Sequence, residues 1–492
     1  MSALSLPASH RNYFSQSLKK DQLIEWLKGM LFHSFVLGNT LESYLDTCSY
    51  FEELVEEHRK SPTASRLRMF VPTVGVFHTK LPMRQAFELY DRKYAISSRR
   101  MVAPSFNEIR HILNIAQIVA LGKSLRFVSF DGDQTLYSDG GNFEDKEELA
   151  YEIIELIRAG VYVAVITAAG YGLDGSKYEV RLQGLLRRFV VAGLSAEHIA
   201  QFFVVGGECN YLLQCQLVVG GAGAGTGAEA GAGIAAARLI PVPIEVWQAA
   251  HIPGPKPSQW HPDQVTQVLD IAEASMKATR QELRLRARIL RKDRAVGMFP
   301  GGADMAEEFP LGHGSIKLKR EALDEVVLRA MDALRRAQPA IQLPFCAFNG
   351  GRDAWLDVGN KRIGVEALSS FLGVPAASCL HVGDQFLHTG NDLAARQVCP
   401  CIWIAGPHET LKVLEHVLKH CLGISPAGAP LAESPPKMLA DRARERESSV
   451  FYGAAGESAS VTVSVSVSGG SGDGSERASP RFNVYTGGSE EG

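Results

Sequence analysis

Apolar positions recur at helical spacing through the first third of the chain. "DQLIEWLKGMLFHSFV" follows that period with Asp21 placed to cap its start, and "YLDTCSYFEELVEEHRK" repeats it. A further helical region, "MRQAFELYDRKYAISSRRMVAPSFNEIRHILNIAQIVALG", follows with a proline interruption. From Leu125 the texture changes. "LRFVSF" is a short apolar run, "KEELAYEIIELIRAG" returns to the helical period, and "VYVAVITAAG" is almost continuously apolar, as in a strand buried on both faces. Strand, helix, strand opens a parallel α/β sheet. The same texture returns late in "CLHVGDQF" and "PCIWIAGP". The pattern predicts a helical region over 1–120, a first core part over 121–175, an inserted cap over 176–344, a second core part over 345–425 and a tail over 426–492. Within the cap, the Gly/Ala-rich segment 219–237 is expected to be disordered, as is the Ser/Gly/Glu/Pro-rich tail. That segment lacks the Lys-Ser/Thr ending of a phosphate loop, so linker is the reading it supports.

Bulk properties narrow the function. At 492 residues the chain should hold two or three domains. With 46% hydrophobic residues, 21% charged residues and a net charge of −3, it is globular and argues against nucleic-acid binding as its main activity. No apolar run reaches the length of a membrane span. The first residues lack acid and contain serine, a faint likeness to a transit peptide, but the stretch is short. Eight scattered cysteines lack the second pair that zinc ligation needs, which favours reduced thiols and a cytoplasmic protein.

The candidate chemistry begins at "FVSFDGDQTLYSDGG". Asp131 and Asp133 stand two residues apart after an apolar run, where they repel each other unless a positive charge lies between them. A calcium loop would need glycine at its sixth position, which is Leu136. Ligands of open α/β sheets bind beyond the carboxyl ends of the strands. The proposed strands end in Asp131 and Asp133, in Thr167, in Asp357 with Lys361 before a helix, and in Asp384 with Asn391 and Asp392 after it. Singly these read as a turn acid, a strand hydroxyl and a solvated lysine. Together they are the parts of a magnesium-assisted phosphoryl transfer.

"DGDQTL", "VITAAG", the lysine of "GNKRIG" and "GDQFLHTGND" resemble the four ordered motifs of the haloacid-dehalogenase-like (HAD) phosphohydrolases. That resemblance implies an α/β fold: a Rossmann-like parallel sheet core with an inserted α+β cap, here with an N-terminal helical region. "SSRRMVAPSFNEIRHILNIAQI", "GGECNYLL", "RKDRAVG" and "PFCAFNGGRDAWLDVGNKRIGV" extend it to the IMP-specific 5′-nucleotidase family, over about residues 10–425. The resemblance implies hydrolysis of a nucleotide, IMP, with Mg²⁺, in a homotetramer allosterically activated by ATP. It makes Asp131 the nucleophile and Asp133 the general acid. The metal would be held by Asp131, the Asp133 carbonyl and Asp384. Asp133, Asp139, Thr167, Asp353 and Lys361 would contact substrate, and Lys93 and His111 would contact ATP. The cap segment Arg291–Gly297 is a candidate for base recognition, with a solvated basic turn as its alternative. A phosphomutase of the same superfamily and a non-catalytic nucleotide sensor are the rival readings; release of free phosphate from IMP separates them.

Overall fold

The computed structural model describes residues 20–38, 40–144, 147–219, 235–248, 259–301, 318–338 and 340–424. The N-terminal region is helical, built on α1 (Gln22–Leu37), α2 (Leu41–Lys60), α3 (Met83–Tyr94) and α4 (Phe106–Leu121). Asp21 caps α1 as its position predicts, accepting from the Ile24 N–H at 3.1 Å. Ser105 and Glu108 close α4 with a reciprocal capping box, satisfying backbone donors that the first turn leaves open. Leu27, Leu31, Phe51, Phe87 and Ile112 meet in a core of their own.

The α/β core starts with β1 (Phe127–Phe130), α5 (Glu147–Arg158), β2 (Tyr162–Ile166), α6 (Gly175–Val191) and β3 (Phe202–Gly206). A hairpin, β4 (Tyr211–Val219) and β5 (Ala235–Pro241), extends the same sheet. The cap follows as α7 (Pro262–Glu282), β6 (Ala287–Arg291), β7 (Ala295–Pro300), α8 (Arg320–Arg336), β8 (Phe345–Asn349) and β9 (Ala354–Val358). The chain then returns to the core through α9 (Lys361–Phe371), β10 (Cys379–Gly383), β11 (Cys401–Trp403) and α10 (Pro407–Val417). The core sheet runs β11-β10-β1-β2-β3-β4-β5, and the cap sheet β6-β7-β9-β8. β1 is flanked by parallel β10 and β2, so three strands end side by side at one edge. The architecture is thus an α/β core with an inserted cap and N-terminal helices.

Sheet membership corrects the boundaries read from the sequence. β3, β4 and β5 were expected in the cap at 176–344 but belong to the core sheet. β8 and β9, expected in the second core part at 345–425, pair with β7 in the cap. An apolar run states that a strand is buried, but not which sheet buries it. The Gly/Ala-rich segment is corrected at its ends: Val219 and Ala235–Ala237 pair within β4 and β5. Its middle, 220–234, and the tail from 426 lie outside the described residues.

The helical region meets the core through α4. The Arg110 guanidinium donates to both oxygens of Glu409 on α10, at 2.8 and 3.0 Å, and to the Trp403 carbonyl. Burial opposes ionisation of Glu409, but hydrogen bonds from His111 and Arg110 outweigh it and hold the carboxyl below the usual carboxylate range. Removing one partner of such a pair strands the other charge. Glu409→Gln is therefore expected to cost about 3 kcal/mol near neutral pH. A depressed folded pKa gives stability that is present above the unfolded value and lost as pH falls toward the folded one. The gap between parent and variant in urea unfolding should narrow below about pH 4.3. A gap constant with pH would contradict an ionised Glu409.

Candidate active site

The ends of β1, β2 and β10 and the start of α9 converge on Asp131. Its backbone N–H is bound to the Val382 carbonyl at 2.9 Å, which ties β1 to β10 at the point where both strands stop. Gly132 lets the turn between the two acids close. A Cβ there would come within 2.4 Å of the Tyr137 hydroxyl. Asp133 Oδ1 then accepts from the Gly140 N–H at 2.9 Å and from Arg181 at 2.8 Å. Thr167, at the end of β2, accepts from the Ala169 N–H at 3.1 Å, which leaves its hydroxyl hydrogen available.

Behind Asp131 runs a buried polar ladder. Lys361 Nζ lies 2.6 Å from Asp131 Oδ1 and 2.6 Å from Asp392 Oδ1. Asp392 Oδ1 is also 3.0 Å from His381 Nε2, and its Oδ2 accepts from the Gln385 N–H at 2.8 Å. His381 Nδ1 in turn lies 2.9 Å from the Ser129 hydroxyl. Burial opposes the Lys361 charge, yet Asp131, Asp392 and Glu208 outweigh it and raise its pKa. For Asp392, Lys361 and His381 outweigh burial and keep the carboxyl ionised well below its usual range.

The front of the cluster is electrostatically unbalanced. Burial pushes the Asp131 carboxyl up, Lys361 pulls it down and Asp392 repels it, for a balance of about 7. Asp384 is pushed up to about 9 by burial, then by Asp131 and Asp392. Carboxylate oxygens of Asp131, Asp384 and Asp392 lie within 4.8 Å of one another, and Asp384 Oδ1 has no hydrogen-bond partner. Both oxygens of Asp392 are already taken, so Asp131 and Asp384 are the acids open to a hard cation such as Mg²⁺.

A cavity of about 480 Å³ opens in front of Asp131 and runs to the cap. Asp133, Asp139, Thr167 and Asp353 line it. Lys361 does not. At 0% exposure it sits behind Asp131, in contact with the Asp131 and Asp392 carboxylates. Asp139 pairs with Arg352 across the core–cap boundary at 3.0 Å. Burial raises the pKa of Asp353, with the nearby Asp139 and Asp133 adding to it. Lys292 and Arg294 line the cap end, and Asn210 holds Arg294 at 2.8 Å. Lys93 and His111 do not line this cavity. Lys93 lies over the Tyr94 ring at 5.4 Å, whereas His111 contacts Tyr90 and Glu409. Arg181 carries no role in the sequence pattern, because helix periodicity does not say which acid an arginine meets.

A sequence model of the IMP-specific 5′-nucleotidase family matches residues 9–414. The chain belongs to that family. As an IMP-specific 5′-nucleotidase family member it is a phosphoric monoester hydrolase. The IMP-specific 5′-nucleotidase 1 of Eremothecium gossypii is 38% identical over 434 residues, spanning 82% of this chain and 96% of the relative. That of Plasmodium falciparum is 34% identical over 412 residues, spanning 83% and 85%. Among solved structures, an IMP-bound mutant of Plasmodium falciparum IMP-nucleotidase aligns with a TM-score of 0.69 at 34% identity, covering 82% of this chain and 95% of that one. The ATP-bound form aligns with a TM-score of 0.67 at 34% identity, covering 84% and 88%.

Gly383 is the narrow point of this nucleotidase-family site. A Cβ there would lie 2.3 Å from Asp392 Cγ, so Gly383→Ala must displace the carboxylate that holds Lys361. The variant is expected to lose about 1–3 kcal/mol of stability and about a hundredfold in kcat. Retention of parental kcat would mean that the ladder does not position Asp131.

Proposed function

We propose that this chain hydrolyses inosine 5′-monophosphate to inosine and phosphate through an aspartyl-phosphate on Asp131. One observation carries the reading: Asp131, in a chain of the IMP-specific family, is held by a buried ammonium on Oδ1 and stands at the head of a cavity. Oδ2 is left for attack. It forms a bond to phosphorus in line as the bond to O5′ breaks, and the electron pair goes to O5′. Asp133 protonates that oxygen. In the second step a water attacks phosphorus, Asp133 takes its proton and the Asp131 carboxylate leaves as phosphate is released. Thr167 donates its hydroxyl hydrogen to the transferring group.

Asp131, the Asp133 backbone carbonyl and Asp384 would hold Mg²⁺, a reading supported by the orphaned Asp384 oxygen. When bound, the ion offsets the charge on the phosphoryl oxygens. The nucleoside takes the cap end of the cavity, where Trp355, Phe348 and Arg294 are among the lining residues. Asp131→Asn is expected to cut phosphate release from IMP by at least about 10³-fold without unfolding the chain. Appreciable residual turnover would exclude the covalent route. A phosphate-release panel over nucleoside and sugar monophosphates tests the substrate, and equal rates across it would refute IMP selectivity.

ATP is read as an activator bound near Lys93 and His111. These residues flank the Tyr90–Tyr94 pair, and the charge of Lys93 reaches His416 on α10. A line of contacts supports coupling: Arg110, beside His111, donates to the Trp403 carbonyl, and Trp403 Nε1 donates to the Asp384 carbonyl at 2.8 Å. Coupling of this kind is typically about 1–3 kcal/mol and reciprocal. Lys93→Ala combined with His111→Asn should abolish the ATP response at sub-saturating IMP. An activation curve like the parent's would exclude this site. A homotetramer fits the apolar outer face of α1, where Phe32, Val36 and Leu37 are exposed. A cytoplasmic location fits eight cysteines that are all unpaired.

A further inference from the structure

We propose that Arg181 is the positioning residue of the general acid: it fixes Asp133 through Oδ1 so that Oδ2 meets the leaving oxygen of the ribose. The inference rests on the reading of Asp133 given under Proposed function. Asp133 is a partly exposed side chain at 36%, and neither burial nor packing would hold its carboxylate in one rotamer. Two donors do so instead. The Gly140 N–H reaches Oδ1 from a turn in which Gly140 adopts a φ of +67°, and the Arg181 guanidinium reaches the same atom from α6. Both bonds end on one oxygen, and the other is left for chemistry.

The arginine itself is held rigidly. Its side chain is 17% exposed, and the guanidinium lies 5.0 Å from the centre of the Tyr137 ring. Tyr137 is buried, with its hydroxyl packed against Gly132, between the two acids. The helix that carries Arg181 is pinned to the loop that follows the acid pair. The Arg181 carbonyl accepts from the Phe143 N–H at 2.7 Å, and the Gly184 N–H donates to the Phe143 carbonyl at 3.0 Å. Gly184 permits that approach, since a Cβ there would lie 2.5 Å from the Glu144 backbone. An ion pair with a partly exposed member contributes little to stability. A general acid displaced from hydrogen-bond reach loses its effect on the rate. The pair therefore serves alignment more than folding.

The test compares IMP with its analogue in which sulfur replaces the bridging O5′, because a thiolate leaves without needing a proton. The quantity is kcat/KM, which covers the steps through departure of the leaving group. Arg181→Met is expected to lose about 10–100-fold on IMP, within the range of a general acid's contribution, and less than about threefold on the sulfur analogue. Arg181→Lys should recover part of the loss on IMP. If Arg181→Met does not fold, Arg181→Lys alone should show the same selectivity at smaller size. Equal losses on both substrates would make Arg181 a clamp for phosphate or a purely structural residue, and no loss on IMP would remove its role; either overturns the inference. Asp133→Asn is the reference. Should Asp133→Asn lose equally on both substrates, the general-acid reading itself falls. Should it show the selective loss while Arg181→Met does not, the Arg181 inference alone falls.

Discussion

A buried ammonium organises the candidate active site of this molecule. Lys361 is completely enclosed, between Asp131 at the end of β1 and Asp392 beyond β10. Taking a lysine out of water costs several kcal/mol unless counter-charges and hydrogen bonds surround it. It is also the first residue of α9, where the positive end of the helix disfavours a cation. The carboxylates override both costs, and in doing so they fix one oxygen of Asp131. His381 and Ser129 extend the ladder into the sheet, so Asp131 is anchored through β1 and β10 together.

The cap and the core are joined close to this cluster. Asn210, in the turn between β3 and β4, donates to the Val358 carbonyl at the end of β9 and accepts from Arg294 beside β7. Glu208, fully buried in the same turn with a φ of +47°, accepts from Asn391 at 3.0 Å. Burial pushes Glu208 up to about 7, although Lys361 and Asn391 pull the other way. One turn thus touches the cap, the loop after β10 and the field of Lys361. A cap seated on such a turn can exclude water from the transferring group without a large motion of the core.

The N-terminal helices are attached at the opposite side of β10. Trp403 is the shared residue: Phe106 meets its ring edge-on, Asn114 and Arg110 hold its carbonyl, and its indole N–H reaches Asp384. Asp384 is one of the acids open to a cation, so the helical region ends one hydrogen bond away from the acidic cluster. Contiguity of this sort provides a physical route between two sites, and the strength of coupling is a matter for measurement.

Much of the candidate site was legible before any fold was known. Parallel strands buried on both faces read as continuous apolar runs, and their carboxyl ends converge, so "FVSFDGD", "VITAAG" and "LHVGD" already named Asp131, Asp133, Thr167 and Asp384. The helical N-terminus was legible too, because its period and its Asp21 cap are local properties. Tertiary structure alone decided the rest. It assigned β3, β4 and β5 to the core, enclosed Lys361 behind Asp131, and brought Arg181 to an acid 48 residues away. Periodicity records that a side chain is buried or exposed, which depends on its own element. The partner it meets depends on how distant elements pack, and no local pattern carries that information.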